Sequence, residues 1–267
     1  IVNEVQFDDG MDYGEGVPAP LPQAVRMDVP QLQEVAAVLS IPDSQIDVLN
    51  GQQNEEITFK EDLGVFFAEP QFFRIFDFEW LHGSPLSLLE PNTVVLTQEI
   101  AEKYFDDWRK AIGRSLEYRN SEVLKVTGIL KNISAPTDFP LKVVISFKTR
   151  GPEDSGWGSI TSRRQCFVLL DEHTSPEQIQ DLMPAFEKKH QPVDVNDHYR
   201  LQPITDIHFD ERYGNFNNRT ASKTNLWALG LIGILLMVTA SINFVNLAIA
   251  QLMKRAREVG VRKVLGS

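Results

Sequence analysis

The chain has 267 residues, 42% apolar and 24% charged, enough for one large domain or two small ones with a real core. Its formal net charge of −11 is unevenly spread: six Lys/Arg and one acid from Lys223 onward make +5, so residues 1–222 carry −16. An acidic body argues against a nucleic-acid partner, because a phosphate backbone needs a positive surface. The single cysteine, Cys166, excludes an intrachain disulfide and a cysteine-built zinc site.

The opening "IVNEVQFDDG" has acids where a signal peptide would be basic, has no apolar run and lacks an initial Met, so the chain reads as a fragment that continues upstream. Residues 8–22, rich in Asp, Gly and Pro, read as irregular. "VPQLQEVAAVLS" predicts a short helix, with Pro30 in its first turn and Leu32, Val35, Ala36 and Leu39 at i, i+3, i+4 and i+7. "SQIDVLN" and "EEITFKEDLGVFFAE" predict strands, with Gln52–Asn54 as the turn between them. "PQFFRIFDFEWL" predicts a short helix running into a strand. Its aromatic spacing suits either a core segment or a substrate-binding wall, and the core is the simpler reading.

"NTVVLTQEIAEKYFDD" predicts a strand, an N-cap at Thr97, and a helix that buries Ile100, Ala101, Tyr104 and Phe105. "SLEYRN-SEVLKVTGIL" predicts a hairpin turning at Asn120–Ser121, and "LKVVISF" another strand. A Gly- and Pro-containing stretch at 149–159 marks a boundary. "RRQCFVLLDE" predicts a strand that buries Cys166 as a small apolar residue. "SPEQIQDLMPAFEKKH" predicts a capped helix with Ile179, Leu182, Met183 and Phe186 buried and a kink at Pro184. "YRLQPITDIHF" predicts a strand leading toward the segment at 223.

Between Lys223 and Lys254 lie 30 residues without a charge. A bilayer core needs about 20 helical residues, so this run predicts a transmembrane helix over roughly Leu226 to Ala250. Five Lys/Arg in the last 14 residues put that end in the cytoplasm and residues 1–222 outside it. Thr239, Asn243, Asn246 and Ala250 recur at i, i+4, i+7 and i+11. An asparagine amide facing lipid is costly, so this face predicts packing against another helix; none of the four ionises, which speaks against a conduction path. Gly230 and Gly233 allow close approach nearer the outer end.

In the tail, Val259, Val261, Val264 and Leu265 are interleaved with Arg255, Arg257, Arg262 and Lys263 on a helix continuing from the membrane. Glu258 stands four residues before Arg262, and Gly260 offers a break or a close approach. The tail is either a basic anchor at the lipid headgroups or a docking surface. Basic charge does not separate the two, although four exposed apolar residues are harder to explain in a mere anchor.

Chemistry is hard to find. None of the five histidines has metal-ligand spacing; Asp206, His208 and Asp210 in "DIHFDE" would share one strand face and offer three cation ligands, but the pattern equally suits a solvated edge. There is no phosphate-binding loop and no nucleophile elbow, and no carboxylate sits in an apolar frame. The chain does not read as an enzyme, and no cofactor is implied.

Four blocks carry a resemblance. "AEPQFFRIFDFEWLHGSP", "PNTVVLTQEIAEKYF" with "IGRSLEY", and "LKVTGILKNISAPTDFPLKVVISF" are similar to the periplasmic core domain of MacB-like, FtsX-family permeases of the type VII ABC superfamily, the Bacteroidetes type above all. "NFVNLAIAQLMKRAREVGVRKVLGS" resembles that family's second transmembrane helix and the segment after it. The resemblance implies an inner-membrane permease subunit, homodimeric or heterodimeric. A cytosolic ABC ATPase would drive it, and cytosolic motion would be transmitted to the periplasmic domain to expel or release a drug, peptide or lipoprotein. A periplasmic adaptor and an outer-membrane protein are further implied partners. On the resemblance, Arg257, Glu258, Val259, Gly260, Val261, Arg262 and Lys263 would form the ATPase-coupling segment.

The expected fold is α+β with βαβ units. The resemblance further implies that a two-lobed extracytoplasmic domain comprises a porter-like core (1–149 and 201–222) and an inserted Sabre-like lobe (150–200), followed by a transmembrane helix (223–253) and a cytoplasmic segment (254–267). The rival from another class is the external ligand-sensing domain of a membrane receptor; a membrane-anchored hydrolase lacks a site.

Overall fold

The structure, a computed structural model, describes residues 1–7, 10–49, 56–133, 137–151, 156–217 and 220–266. The turn expected at Gln52–Asn54 lies outside the described residues. Strands β1 (Val2–Phe7), β2 (Gly10–Gly14) and β3 (Val17–Pro18) lead into α1 (Leu21–Asp28). Then come β4 (Leu32–Ser40), β5 (Ser44–Leu49), β6 (Glu56–Glu61), β7 (Val65–Ala68), α2 (Phe72–Ile75) and β8 (Trp80–His82). A 3₁₀ turn precedes β9 (Thr93–Thr97), α3 (Gln98–Phe105), α4 (Trp108–Ala111), β10 (Ser115–Tyr118), β11 (Glu122–Leu130) and β12 (Val143–Ser146). The chain continues through β13 (Ile160–Thr161), β14 (Arg164–Leu170), α5 (Pro176–His190), β15 (Asp197–Arg200) and α6 (Lys223–Val264). Ile1–Thr220 and Ala221–Ser267 are two separate compact units.

In the first unit a large sheet runs β14-β4-β7-β12-β9-β11-β10-β5-β6, with β8 added on β11; β1 pairs with β2 and β15, and β3 with β13. Two neighbours are parallel, β7 with β12 and β9 with β11, and the chain from β9 through α3 to β11 is a βαβ crossover. Side chains alternate faces along a strand, so a sheet covered on both sides reads as an unbroken apolar run. Val94 and Leu96 face α3 together with Ile100, Ala101, Tyr104 and Phe105, while Val95 faces the opposite side with Phe72 and Leu130. The predicted buried face of α3 is the observed one, although the Thr97 side chain makes no capping bond.

The helix expected over 29–40 is strand β4. Its residues at helical spacing are divided among three cores: Val35 with Leu32 beside it in one, Ala36 in a second, Leu39 in a third. No helix face could serve all three, whereas a central strand between β14 and β7 does. The stretch expected to be irregular, 8–22, instead holds β2, β3 and the first turn of α1, whose Leu21, Ala24 and Val25 are buried in one core with Ile179, Met183 and Phe186 of α5. Leu182, expected in that stripe, is exposed. A Ser175–Gln178 capping box opens α5, which continues through Pro184.

At the hairpin, Tyr118 pairs with Glu122 and the positive-φ residues are Arg119 and Asn120, one position earlier than expected. Gly64, at φ +103° with Pro140 O 2.7 Å from where a Cβ would stand, divides the long predicted strand into β6 and β7.

Candidate functional site

The second unit is a single 42-residue helix whose N-cap, Ser222, accepts from the Asn225 amide. At 1.5 Å per residue it is about 63 Å long, roughly twice a bilayer's hydrocarbon core. The uncharged run and the basic tail therefore belong to one rod. Gly260 does not break it: the helix runs to Val264 and ends where Gly266 takes φ +75°.

Thr239, Asn243, Asn246 and Ala250 fall within about 60° of one another around this axis. The Thr239 hydroxyl donates to Leu235 O at 2.8 Å, within its own helix. The amides of Asn243 and Asn246 have no partner among the described residues, and no α6 side chain is buried. Arg257, Val261 and Val264 continue the same strip at the next turns. Glu258 and Arg262 share an adjacent strip, and Val259 and Lys263 lie on the far side. The expected apolar set of the tail thus does not make one face.

In the first unit the strand expected over 199–209 ends at Arg200, and Pro203, which has no N–H to give, precedes a 3₁₀ turn at Ile204–Asp206. Asp206, His208 and Asp210 therefore do not alternate on one face. Asp210 is paired with Arg212 at 2.8 Å, which holds its carboxyl below the usual range; His208 Nδ1 stands 3.8 Å from Asp138. Among the described residues no three His, Cys, Asp or Glu are grouped to hold a metal. Cys166 is buried on β14, and burial pushes its thiol up to about 11, far from nucleophilic use.

The buried charge of Glu61 is structural. Glu61, 2% exposed, accepts from Lys103 at 2.5 Å, Lys142 at 3.0 Å and the Tyr104 hydroxyl at 3.0 Å, fastening β6 to α3 and to the approach of β12. Burial alone would raise its pKa, but these three donors outweigh it and hold the carboxyl below its ordinary 4.5. A depressed carboxylate contributes stability that is fully present above the unfolded pKa and lost as pH falls through the folded one. The Glu61→Gln variant should therefore be about 1–3 kcal/mol less stable at pH 7. That difference should begin to shrink as pH falls below 4.5 and be gone only once pH is below the lowered pKa of the folded state, as read by urea unfolding at pH 7 and through the acid range; a pH-independent difference would refute the ion-pair account.

Aromatics of "FFRIFDFEW" are core: Phe72 and Phe73 are buried, and Phe76, Phe78 and Trp80 pack around them. Beside them, a partly open cavity of about 430 Å³ lies along β14, between Ile75 and Phe76 on one side and Leu201 and Pro203 on the other. No local sequence pattern marks it, because its walls come from seven separate stretches of the chain.

Comparison with known proteins agrees with this architecture. A sequence profile described as the MacB-like periplasmic core domain matches residues 2–186. The chain is similar to a crystal structure described as a domain of a permease protein from Porphyromonas gingivalis, with a TM-score of 0.61 and 18% identity over 85% of this chain and 94% of that one. It is also similar to the periplasmic region of MacB from Actinobacillus actinomycetemcomitans, with a TM-score of 0.47 and 13% identity over 68% and 77%. At 18% identity the first likeness bears on fold alone. Comparison with curated proteins gave no match.

Proposed function

The chain belongs to the family of MacB-like periplasmic core domains, the external domains of ABC-transporter permeases, and on that premise we propose that α6 carries ATP-driven motion between the cytoplasm and the periplasm. Residues 1–220 are the periplasmic part of an inner-membrane protein, and α6, the one long apolar helix among the described residues, is a membrane span of it. A domain of this kind transmits motion rather than catalysing a reaction, and its partners are those of an ABC transporter, an ATPase and an adaptor.

The finer assignments are our own reading. The observation that carries them is the continuity of α6 from Lys223 to Val264: a helix without a break passes an axial or rocking displacement along its whole length. The segment Arg257–Lys263 is assigned to the ATPase contact, with the Glu258–Arg262 strip meeting it. The strip of Thr239, Asn243, Asn246 and Ala250 is assigned to a neighbouring membrane helix, in a homodimer or heterodimer. Residues 150–200 are assigned to the inserted lobe; since β14 lies along β4, that lobe shares Cys166 and Phe167 with the core of the rest.

In reconstituted complexes with the ATPase, the double variant Glu258→Ala and Arg262→Ala should insert normally and permit ATP hydrolysis, while substrate movement per ATP falls at least about tenfold, the change expected when roughly 1.4 kcal/mol of contact is lost. Unchanged coupling would overturn the assignment of this segment.

A further inference from the structure

We propose that β6 pairs with β6 of a second copy of this chain, joining two external units into one continuous antiparallel sheet across a twofold axis at Thr58. β6 ends the large sheet and, among the described residues, pairs only with β5. It lies on the core that holds α3, whereas Ile1 packs into a different core beside β14. The ladder tells which of its backbone groups point outward. Val126 N donates to Arg114 O at 2.9 Å, which turns residues 114, 116 and 118 toward β11 and residues 115, 117 and 119 toward β5. Arg119 N donates to Gln45 O at 3.1 Å in keeping with this, so Ser44, Ile46 and Val48 bond toward β6. Through the register of β5 with β6, Ile57, Phe59 and Glu61 then bond inward, and residues 56, 58 and 60 point outward. The bond from Asp43 N to Asp62 O lies past this ladder, where Asp43 has left extended backbone at φ +49°. The N–H and C=O groups of Thr58 and Lys60 have no partner among the described residues.

Edge strands that stay single are blunted by proline, by bulges or by lysine. β6 contains no proline, and its register against β5 runs from Glu56 to Glu61 without a bulge. Its one lysine selects the occupant. Pairing must set outward residues opposite outward residues, and the register centred on Thr58 does so with complementary partners throughout. Thr58 faces its own counterpart, Lys60 faces the acid at position 56 of the second copy, and Ile57 faces Phe59 of the second copy. Sliding by two residues either way puts Thr58 opposite a charged position and leaves Lys60 facing no acid. Ile57 is 44% exposed although it shares the α3 face with Phe59, which is half-buried with its ring 4.5 Å from that of Tyr104. Pairing lays each Ile57 against the other copy's Phe59 and covers the apolar side chains that this edge leaves in water. A contact of a few backbone bonds is weak by itself, but copies anchored in one bilayer by α6 meet at high effective concentration.

The experiment uses the full chain in lipid vesicles, with single cysteines added at exposed positions and oxidised by copper-phenanthroline; the native Cys166 is buried and stays silent. Opposite residues of a hydrogen-bonded pair have Cα atoms about 5.5 Å apart, within disulfide reach, so Thr58→Cys should cross-link to itself. Ile57→Cys and Lys60→Cys should not, because the register holds each about 8 Å or more from its own counterpart. Lys60→Glu should slow the Thr58→Cys cross-link at least about fivefold, and adding Glu56→Lys should restore it to within about twofold. Amide exchange at Thr58 and Lys60 should slow at least about tenfold as the number of chains per vesicle rises. Cross-linking at Ile57→Cys in place of Thr58→Cys, or a rate indifferent to both charge changes, would overturn the register and with it the proposal. No cross-link at Thr58→Cys would overturn it too, as would amide protection that ignores chain density, since the edge would then be covered within one chain. A dimer made through the α6 strip alone leaves the Thr58→Cys pair unlinked, whereas Asn243→Leu with Asn246→Leu should leave the link in place, so the two contacts fail separately.

Discussion

Phe72→Ala should destabilise the external unit by about 3–5 kcal/mol, the range for truncating a fully buried phenylalanine. The side chain is 0% exposed, and its ring lies 4.9–6.2 Å from those of Phe73, Phe76, Phe78, Phe139 and Phe167. These partners come from the α2 region, the approach to β12 and β14, so the cavity left behind would sit where three distant pieces of chain meet, and none closes it alone. Against a whole-domain stability of about 5–15 kcal/mol, the loss is a large fraction. It should appear as a drop in urea midpoint at unchanged m-value. Phe72→Leu should recover more than half of it. A cost below about 1 kcal/mol for the alanine would show that the cluster is not the core it is taken to be.

Asn243→Leu combined with Asn246→Leu should weaken self-association or partner association of α6 by about 1–2 kcal/mol, roughly tenfold, with insertion preserved or improved. The two amides are the polar groups of the strip that the helix does not satisfy itself, in contrast to Thr239, whose hydroxyl is bonded to Leu235 O. In lipid, leucine removes the hydrogen-bonding incentive to pair but keeps the volume. Energy transfer between labelled α6 helices in vesicles measures the effect. Ser241→Leu is the control: its hydroxyl is spent on Met237 O, and association should be unaffected. If the double variant associates as well as the parent, the strip faces something other than a helix.

Where the sequence reading held, the information was local or periodic. The strand–helix unit from Thr93 to Phe105, the Ser175–Gln178 capping box and the hairpin at 115–130 each carry their signal within a dozen or so residues. Where it failed, the deciding partners were remote in sequence. "VPQLQEVAAVLS" has a helical spacing of apolar residues, yet β14 and β7, from far along the chain, claim it as a central strand. "DIHFDE" alternates, yet Pro203 turns the chain before the alternation can become a strand. The tail shows the same limit at smaller scale: its four apolar residues look like one set until the helix distributes them around its circumference.

The membrane span, its orientation and the continuity of basic tail with apolar run were determined by the sequence alone, because hydrophobic length and flanking charge act on each segment independently of the rest of the fold. The edge position of β14, the cavity beside it and the role of the aromatic run as core were decided only by the tertiary structure. Each depends on which strands become neighbours, and that is settled by burying three separate cores at once.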